Sequence, residues 1–153
     1  MNYYQFDITF QEVPGEISLC FSITGCKLQC KGCHSTYLWN ANNGKPLLKK
    51  NYLELLKQYK GYASCVLFMG GEWHKEKLIE YLSLAKQNNF KTCLYTGEET
   101  VPKAILNELT WIKTGKWITA KGGLDNPDTN QKFIYLRTNT IHNHLFLKKQ
   151  HHD

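Results

Sequence analysis

The chain has 153 residues, of which 42% are hydrophobic and 21% are charged, and its net charge is +6. This size and balance are typical of one globular domain with a buried core, which excludes a disordered or fibrous protein. No apolar stretch is long enough to cross a membrane, and no arginine-rich or basic–aromatic run indicates nucleic-acid binding. We therefore expect a protein with neither a membrane nor a nucleic acid as its partner.

Strand and helix patterns alternate along the chain. Residues 17–23 alternate large apolar side chains with small ones, which is the period of a strand. Tyr52, Leu55, Leu56 and Tyr59 have the spacing of one helix face. Similar patterns predict the later elements: a strand at 66–69, a helix around 78–85, a strand at 92–95, a helix within 100–109, a strand at 111–113 and a last strand at 133–136.

This alternation predicts a single α/β domain. Strands that alternate with helices form βαβ units, so we expect a mainly parallel sheet within one domain, residues 1–153. Residues 1–16 are expected to add an N-terminal strand or hairpin, and residues 138–153 to form a frayed tail. Thr100 is expected to cap the third helix, with Pro102 in its first turn.

Four short segments directly follow the predicted strands. In parallel α/β sheets, binding sites form where strands end and helices begin. The four segments should therefore lie on one face of the sheet and form one pocket. They are residues 26–33, 70–72, 96–97 and 113–115.

Three cysteines crowd into the first of these segments, Cys26-Lys-Leu-Gln-Cys30-Lys-Gly-Cys33. Thiolates are the soft ligands that iron–sulfur clusters and zinc prefer. Three of them on a four-iron cluster leave one iron without a protein ligand, and an open metal position is what a reactive site needs. We therefore interpret Cys26, Cys30 and Cys33 as ligands of an iron–sulfur cluster.

A structural zinc site is the alternative interpretation of the same cysteines. His34, next to Cys33, would then be the fourth ligand. Zinc loops more often combine two separated ligand pairs, and no convincing second pair follows, since His142 and His144 lie in the predicted tail. The cluster is the favoured interpretation.

The other cysteines, Cys20, Cys65 and Cys93, lie singly in predicted buried strands. A free cysteine in such a place behaves as a small hydrophobic side chain, so we expect all three to pack in the core. The first residues show no secretory signal, and clustered cysteines then indicate metal binding in the cytoplasm rather than disulfides.

The spacing Cys-x3-Cys-x2-Cys after one strand, with Gly70-Gly71-Glu72 after the next, resembles the radical S-adenosylmethionine (radical SAM) enzymes. Within that superfamily, the chain is similar to the activating proteins of anaerobic ribonucleoside-triphosphate reductase. Three features carry this closer resemblance: Gly32 before the last cysteine, Trp39 downstream, and the loop of residues 123–131. The resemblance covers residues 17–133.

The resemblance implies a fold, cofactors and partners. The fold would be a partial, open βα barrel of the radical SAM type. Cys26, Cys30 and Cys33 would ligate three irons of a [4Fe-4S] cluster, and the amine and carboxylate of SAM would chelate the fourth. An electron from a flavodoxin or ferredoxin would cleave SAM to a 5′-deoxyadenosyl radical, which takes a hydrogen atom from a glycine of the reductase. The residues implied around SAM are Gly32, Cys33, His34, Gly70, Gly71, Glu72, Thr96 and Lys113.

Two features depart from the family pattern: Trp73 stands where proline commonly follows the acidic residue, and the N-terminal strand is divergent. The chain could instead activate another glycyl-radical enzyme or act on a small molecule such as a deazapurine precursor. A third hypothesis is a zinc-stabilised binding module without catalysis. Three alternatives stay open: Thr96 could simply end a strand, and Lys113 could be a solvated lysine. Asn130 and Gln131 could contact either SAM or the partner.

Overall fold

One mixed β-sheet organises the chain, and the computed structural model describes residues 1–147. Within that range the sheet has eight strands: β1 Asn2–Thr9, β2 Ser18–Ile23, β3 Lys45–Pro46, β4 Cys65–Met69, β5 Lys91–Tyr95, β6 Trp111–Thr114, β7 Lys132–Tyr135 and β8 Thr140–Ile141. The α-helices of the same range are α1 Lys49–Gln58, α2 Lys75–Gln87 and α3 Lys103–Leu106. Short 3₁₀ turns occupy Thr36–Leu38, Ala41–Asn43 and Asn143–Phe146.

The four central strands are parallel, and the strands on both flanks are antiparallel. The strand order is β3-β1-β2-β4-β5-β6-β7-β8, with parallel pairing among β2, β4, β5 and β6. A helix crosses between each of these parallel neighbours, because a parallel pair cannot be joined by a tight turn. β1 and β2 form the hairpin expected from residues 1–16. The α/β class and the parallel centre are confirmed, and the sheet is open, with β3 and β8 at its two edges.

Apolar side chains cover both faces of the sheet. On one face, α1 and α2 pack over a large cluster that includes Phe21 and Phe68. On the other face, a smaller cluster surrounds Phe133. The three single cysteines belong to this smaller cluster and are at most 3% exposed, which confirms their predicted packing: Cys20, Cys65 and Cys93.

The third helix begins later than predicted. Pro102 has an extended conformation and precedes the helix, and no side chain caps the helix N-terminus. Thr100 lies exposed before this proline, so the predicted threonine cap is wrong. Ile105 is fully buried, as its position on the inward face required.

None of the helices within the described range is long and apolar enough to span a membrane.

Residues 138–147 pair with the sheet, unlike the frayed tail expected there. The predicted last strand is present as β7, but β8 follows it and pairs with it antiparallel. Phe146 then packs edge-on against Phe133, with ring centroids 5.0 Å apart. The composition of this segment is polar, but β8 covers N–H and C=O groups that β7 would otherwise leave unpaired at a sheet edge. Residues 148–153 of the expected tail lie outside the described residues.

Replacing Tyr52 by phenylalanine tests the contact between the two long helices. The Tyr52 hydroxyl is buried and donates to the Tyr81 carbonyl at 2.6 Å, and the two rings stack at 4.6 Å. We expect Tyr52→Phe to lower the free energy of unfolding by about 1–2 kcal/mol in urea denaturation, because a buried carbonyl loses a donor. Tyr62→Phe, at a side chain 77% exposed, is the control and should change it by less than about 0.5 kcal/mol. Equal effects of the two variants would contradict the assignment.

Candidate functional site

The loops that follow β2, β4, β5 and β6 meet at one end of the sheet. The loops after β2, β4 and β5, together with Lys113 near the end of β6, line a common cavity of about 190 Å³. The predicted convergence of the four strand exits is therefore confirmed. The lining residues that the sequence singled out are Cys26, Gly70, Glu72, Thr96, Gly97 and Lys113.

The cysteine loop is closed at its base by hydrogen bonds to the 3₁₀ turn that follows it. Gly25, in a left-handed conformation with φ of 101°, and Cys26 both donate their N–H groups to the Leu38 carbonyl, at 2.7 and 3.1 Å. Farther along, the Cys33 N–H donates to the Cys30 carbonyl at 3.1 Å. The loop therefore holds its cysteines in a closed turn rather than on a free segment.

The three thiols of this loop are partly exposed and are not arranged around a single ion. Among the described residues, no three Cys, His, Asp or Glu side chains are close enough together to hold one metal ion. In a four-iron cluster each thiolate binds a different iron, whereas zinc draws its ligands around one centre. The exposed His34 ring lies against Trp117, with centroids 5.3 Å apart. Three partly exposed thiols on one loop are a donor set that fits three irons of a four-iron cluster.

The two histidines near the end of the described range do not complete a zinc site there either. His142 and His144 lie beside the β7–β8 edge, with their rings 5.5 Å apart. His142 Nε2 is 3.0 Å from the Thr140 hydroxyl. These contacts are local to that edge of the sheet, away from the cysteine loop.

Gly70 and Gly71 make the turn after β4 with φ values of 81° and 114°, which favour glycine. The Gly70 N–H donates to the Tyr95 carbonyl at 2.8 Å, so the turn is anchored to β5. A Cβ atom at Gly70 would lie 2.6 Å from the Trp73 ring, whereas one at Gly71 would have no neighbour closer than 3.5 Å. At Gly70 the space left by the missing side chain is thus filled by Trp73.

Glu72 presents one satisfied and one unsatisfied carboxylate oxygen. Its Oε1 accepts a hydrogen bond from the Thr96 hydroxyl at 2.7 Å. Its Oε2 is buried without a hydrogen-bond partner in the part of the chain that the structure describes. Burial raises the pKa of Glu72, and the Thr96 hydrogen bond opposes that rise. An unpaired buried carboxylate oxygen is costly, so this position suits a cationic or N–H-bearing ligand.

Thr96 holds the Glu72 carboxylate in place. Its hydroxyl donates to Glu72 and accepts the Glu98 N–H at 3.0 Å, and its own N–H donates to the Lys113 carbonyl at 2.9 Å. Thr96 is 3% exposed. The alternative of a simple strand terminator is therefore incomplete, because the side chain also orients an acidic group in the cavity.

Lys113 is a poorly compensated cation on β6. Its Nζ lies 5.6 Å from the Tyr95 ring centroid and 3.4 Å from the Gly115 carbonyl oxygen, and it has no carboxylate within ion-pair distance in the described range. Burial lowers the pKa of Lys113 to about 8, and the Cys30 thiol and the Glu72 carboxylate act in the opposite direction. An anionic ligand in the cavity would stabilise this ammonium group. Lys113 is therefore not the solvated lysine of the alternative interpretation.

The loop of residues 123–131 braces another segment rather than lining the 190 Å³ cavity. The Asn130 side-chain amide donates to the Lys116 carbonyl at 3.0 Å, and the Gln131 amide donates to the Gly115 carbonyl at 3.3 Å. These contacts fix the backbone that leaves β6. The loop thus acts on the site through residues 115–116.

Residues 116–119 form a wall of the site that the sequence did not reveal. They face the cysteine loop across a cleft of about 820 Å³, which Cys30 also lines. A Cβ atom at Gly32 would lie 2.6 Å from the Thr119 hydroxyl oxygen, so glycine is required for this approach. The position of Trp117 directly after the exit of β6 is the signal that could have identified this wall.

Replacing Lys113 by methionine tests whether the buried ammonium group lowers the stability of the cluster-free protein. The pKa of Lys113 in the folded state, about 8, lies below the usual 10.5, so the charged form of the lysine destabilises the fold. This destabilisation has its full size below pH 8. We expect Lys113→Met to raise the free energy of unfolding by about 3 kcal/mol at pH 7, since each pKa unit between about 8 and 10.5 corresponds to about 1.4 kcal/mol. The gain should shrink between pH 8 and 10.5, where the native lysine loses its proton first.

Urea denaturation at pH 7 and pH 10 measures this difference. Lys116→Met, at an exposed lysine on the neighbouring segment, is the matched control and should show no comparable gain. A gain for Lys113→Met that is absent at pH 7, or that grows with pH, would show that the ammonium group is well solvated.

Comparison with known families and proteins supports the interpretation of this site. Residues 14–121 match the family model described as 4Fe-4S single cluster domain. The pyruvate formate-lyase-activating enzyme of Clostridium pasteurianum is 35% identical over 90 residues, which cover 55% of this chain and 37% of that protein. The 7-carboxy-7-deazaguanine synthase of Buchnera aphidicola subsp. Schizaphis graminum is 27% identical over 143 residues, which cover 78% of this chain and 64% of that protein.

The chain therefore spans between one third and two thirds of the length of these curated relatives. Both relatives are members of the radical SAM superfamily, and the family match covers more than half of the chain, including the cysteine loop and the Gly70-Gly71-Glu72 turn. The chain belongs to the 4Fe-4S single cluster domain family within the radical SAM superfamily, and its cofactors are a [4Fe-4S] cluster and SAM.

Proposed function

We propose that this protein is a radical SAM oxidoreductase that generates a glycyl radical on the anaerobic, class III ribonucleoside-triphosphate reductase. The observation that carries the proposal is the Glu72 Oε2 atom, which is buried without a hydrogen-bond donor from the described residues, on a side chain that shares a cavity with Cys26. The N–H groups of an amine would satisfy this oxygen. SAM carries such an amine next to a carboxylate, and Lys113 lines the same cavity.

Cys26, Cys30 and Cys33 are the proposed cluster ligands. They supply three thiolates to four irons, which leaves one iron open to the amine and carboxylate of SAM. When bound, the reduced cluster supplies the electron that cleaves the sulfonium C–S bond of SAM and yields a 5′-deoxyadenosyl radical. The protein contributes the positioning and the dry cavity.

The chain's own residues bind and orient SAM in this proposal. The Glu72 carboxylate, held by Thr96, accepts from the amine, and the Lys113 ammonium meets the carboxylate. The Gly70-Gly71 turn frames the amino-acid end of the ligand. By the resemblance, Gly32, Cys33 and His34 run along the nucleoside, and Thr96 also approaches the ribose.

An open sheet supports a protein as the substrate. The free edges agree with a partial βα barrel of the radical SAM type, and the 820 Å³ cleft opens directly beside Cys30. A glycine-bearing loop of a large partner fits such an opening better than it fits a closed barrel. The similarity to an activating enzyme supports the same substrate class, and Gly32, Trp39 and residues 123–131 support the reductase as the target.

The electron donor and the cellular setting belong to the same proposal. A flavodoxin or ferredoxin would deliver the electron, as the resemblance implies. The setting would be the cytoplasm, where free thiols stay reduced. Six free cysteines agree with such a setting.

A small-molecule substrate is the second candidate, and one observation favours it. The deazaguanine synthase relative aligns over 78% of this chain, more than the activating enzyme does. A deazapurine precursor would then occupy the cleft in place of a protein loop. Release of 5′-deoxyadenosine that depends on a deazapurine precursor, without any protein partner, would favour this candidate over the activase.

Alanine at Cys30 tests the cluster assignment. We expect Cys30→Ala to reduce dithionite-driven release of 5′-deoxyadenosine from SAM to the background rate, because a cluster ligand is lost. Cys65→Ala is the matched control at a cysteine with 0% exposure: it should lower the free energy of unfolding by about 1 kcal/mol and leave SAM cleavage intact. Iron content and product chromatography measure both. Retained cleavage by Cys30→Ala would refute the ligand assignment.

Electron paramagnetic resonance (EPR) tests the proposed target. The reduced, cluster-loaded protein is mixed anaerobically with SAM and class III ribonucleoside-triphosphate reductase. We expect a glycyl-radical signal on the reductase, and none when SAM or the activating chain is left out. If SAM is cleaved but no glycyl signal forms, the reductase is not the substrate and the target assignment fails.

A further inference from the structure

Trp73 connects the exits of two strands. Its ring occupies the space beside Gly70, where a Cβ atom would lie 2.6 Å from Cη2. Its Nε1 lies 3.1 Å from the position that a Cβ atom would take on Gly25. One indole thus packs on the glycine that ends β4 and on the glycine that follows β2.

A hydrogen bond fixes this indole to the cysteine side. Trp73 Nε1 donates to the Thr24 carbonyl at 3.1 Å. Thr24 is itself fully buried, and its hydroxyl lies within hydrogen-bond distance of the carbonyl oxygens of Asn2 and Ala41, at 3.3 and 3.0 Å. The indole therefore binds to a backbone group that cannot readily move.

Both connections end next to the two groups that would face SAM. Gly25 precedes Cys26 in the chain, and Glu72 precedes Trp73. The same three side chains, Cys26, Glu72 and Trp73, line both the 190 Å³ cavity and a neighbouring cavity of about 280 Å³. Trp73 is therefore part of the boundary between the two cavities.

We propose that Trp73 is a positioning residue that sets the separation between the cysteine loop and the Glu72 carboxylate. The inference rests on the proposed function, since SAM would bind the cluster and Glu72 at the same time. A ligand held at two points binds well only when the points are spaced correctly. Proline, common at this position in the family, has neither the indole ring nor its N–H group, so this chain makes the connection in its own way.

Trp73→Phe removes the N–H donor and keeps an aromatic ring. We expect the variant to incorporate iron and sulfide as the native chain does, with a melting temperature lowered by only about 2–4 °C, because the Thr24 carbonyl loses its donor. The dissociation constant of SAM should rise ~10-fold, because the two points that hold SAM would no longer be spaced correctly. The EPR spectrum of the reduced cluster should respond to SAM only at correspondingly higher concentration.

Trp111→Phe is the matched control. Trp111 lies at the start of β6, at the opposite end of the sheet, and stacks on Phe133. This variant should bind SAM as the native chain does. Equilibrium dialysis with labelled SAM, iron analysis and EPR are run on the anaerobically loaded native protein and on both variants.

The outcomes separate this inference from the proposed function. If the native protein loads a cluster but binds no SAM, the proposed function itself fails. If the native protein binds SAM and Trp73→Phe binds it equally well, the positioning role alone is wrong. The positioning role would also be overturned if Trp73→Phe lost the cluster and SAM binding together with a large drop in melting temperature, because Trp73 would then be a general packing residue.

Discussion

Parallel pairing of β2, β4, β5 and β6 is the constraint on which the rest of the structure depends. Parallel strands point their carboxyl ends the same way, so four segments distant in sequence are brought to one end of the sheet. Each segment supplies a different chemical group: thiols, a glycine turn with an acid, a hydroxyl and an amine. The hydrogen bonds between neighbouring exits, from Gly70 to Tyr95 and from Thr96 to Lys113, extend the sheet's order into the loops.

The ligand-free site holds charges that its own residues satisfy poorly. Glu72 keeps one buried oxygen without a donor, and burial holds the pKa of Lys113 near 8. Two groups of opposite charge line one cavity and do not form an ion pair with each other in the described range. Such an arrangement costs stability and makes the site receptive to an amino-acid group, because amine N–H groups complement Glu72 and a carboxylate complements Lys113.

Strong local patterns made much of this predictable, and long-range contacts explain what was not. The buried strands and the helix around Tyr52 follow from periodicity, and the convergence of the strand exits follows from topology alone. The side-chain contacts of Asn130 and Gln131 reach 14 and 16 residues back along the chain, so composition could not reveal them. β8 pairs with its neighbour β7 but has only two residues, too few to show the period of a strand. The wall at residues 116–119 was missed because it carries no motif, only proximity to the cysteine loop.

The burial of three cysteines has a consequence for how iron reaches the chain. Burial raises the pKa of Cys20 and Cys65 to about 12 and that of Cys93 well above its ordinary value, so all three stay protonated and closed to solvent. Only thiolates capture iron or attack a disulfide. The fold thereby divides six chemically identical side chains into two kinds. Burial also raises the pKa of Cys26 in the loop, so what distinguishes the loop thiols is their partial exposure, which leaves them open to iron and to oxygen.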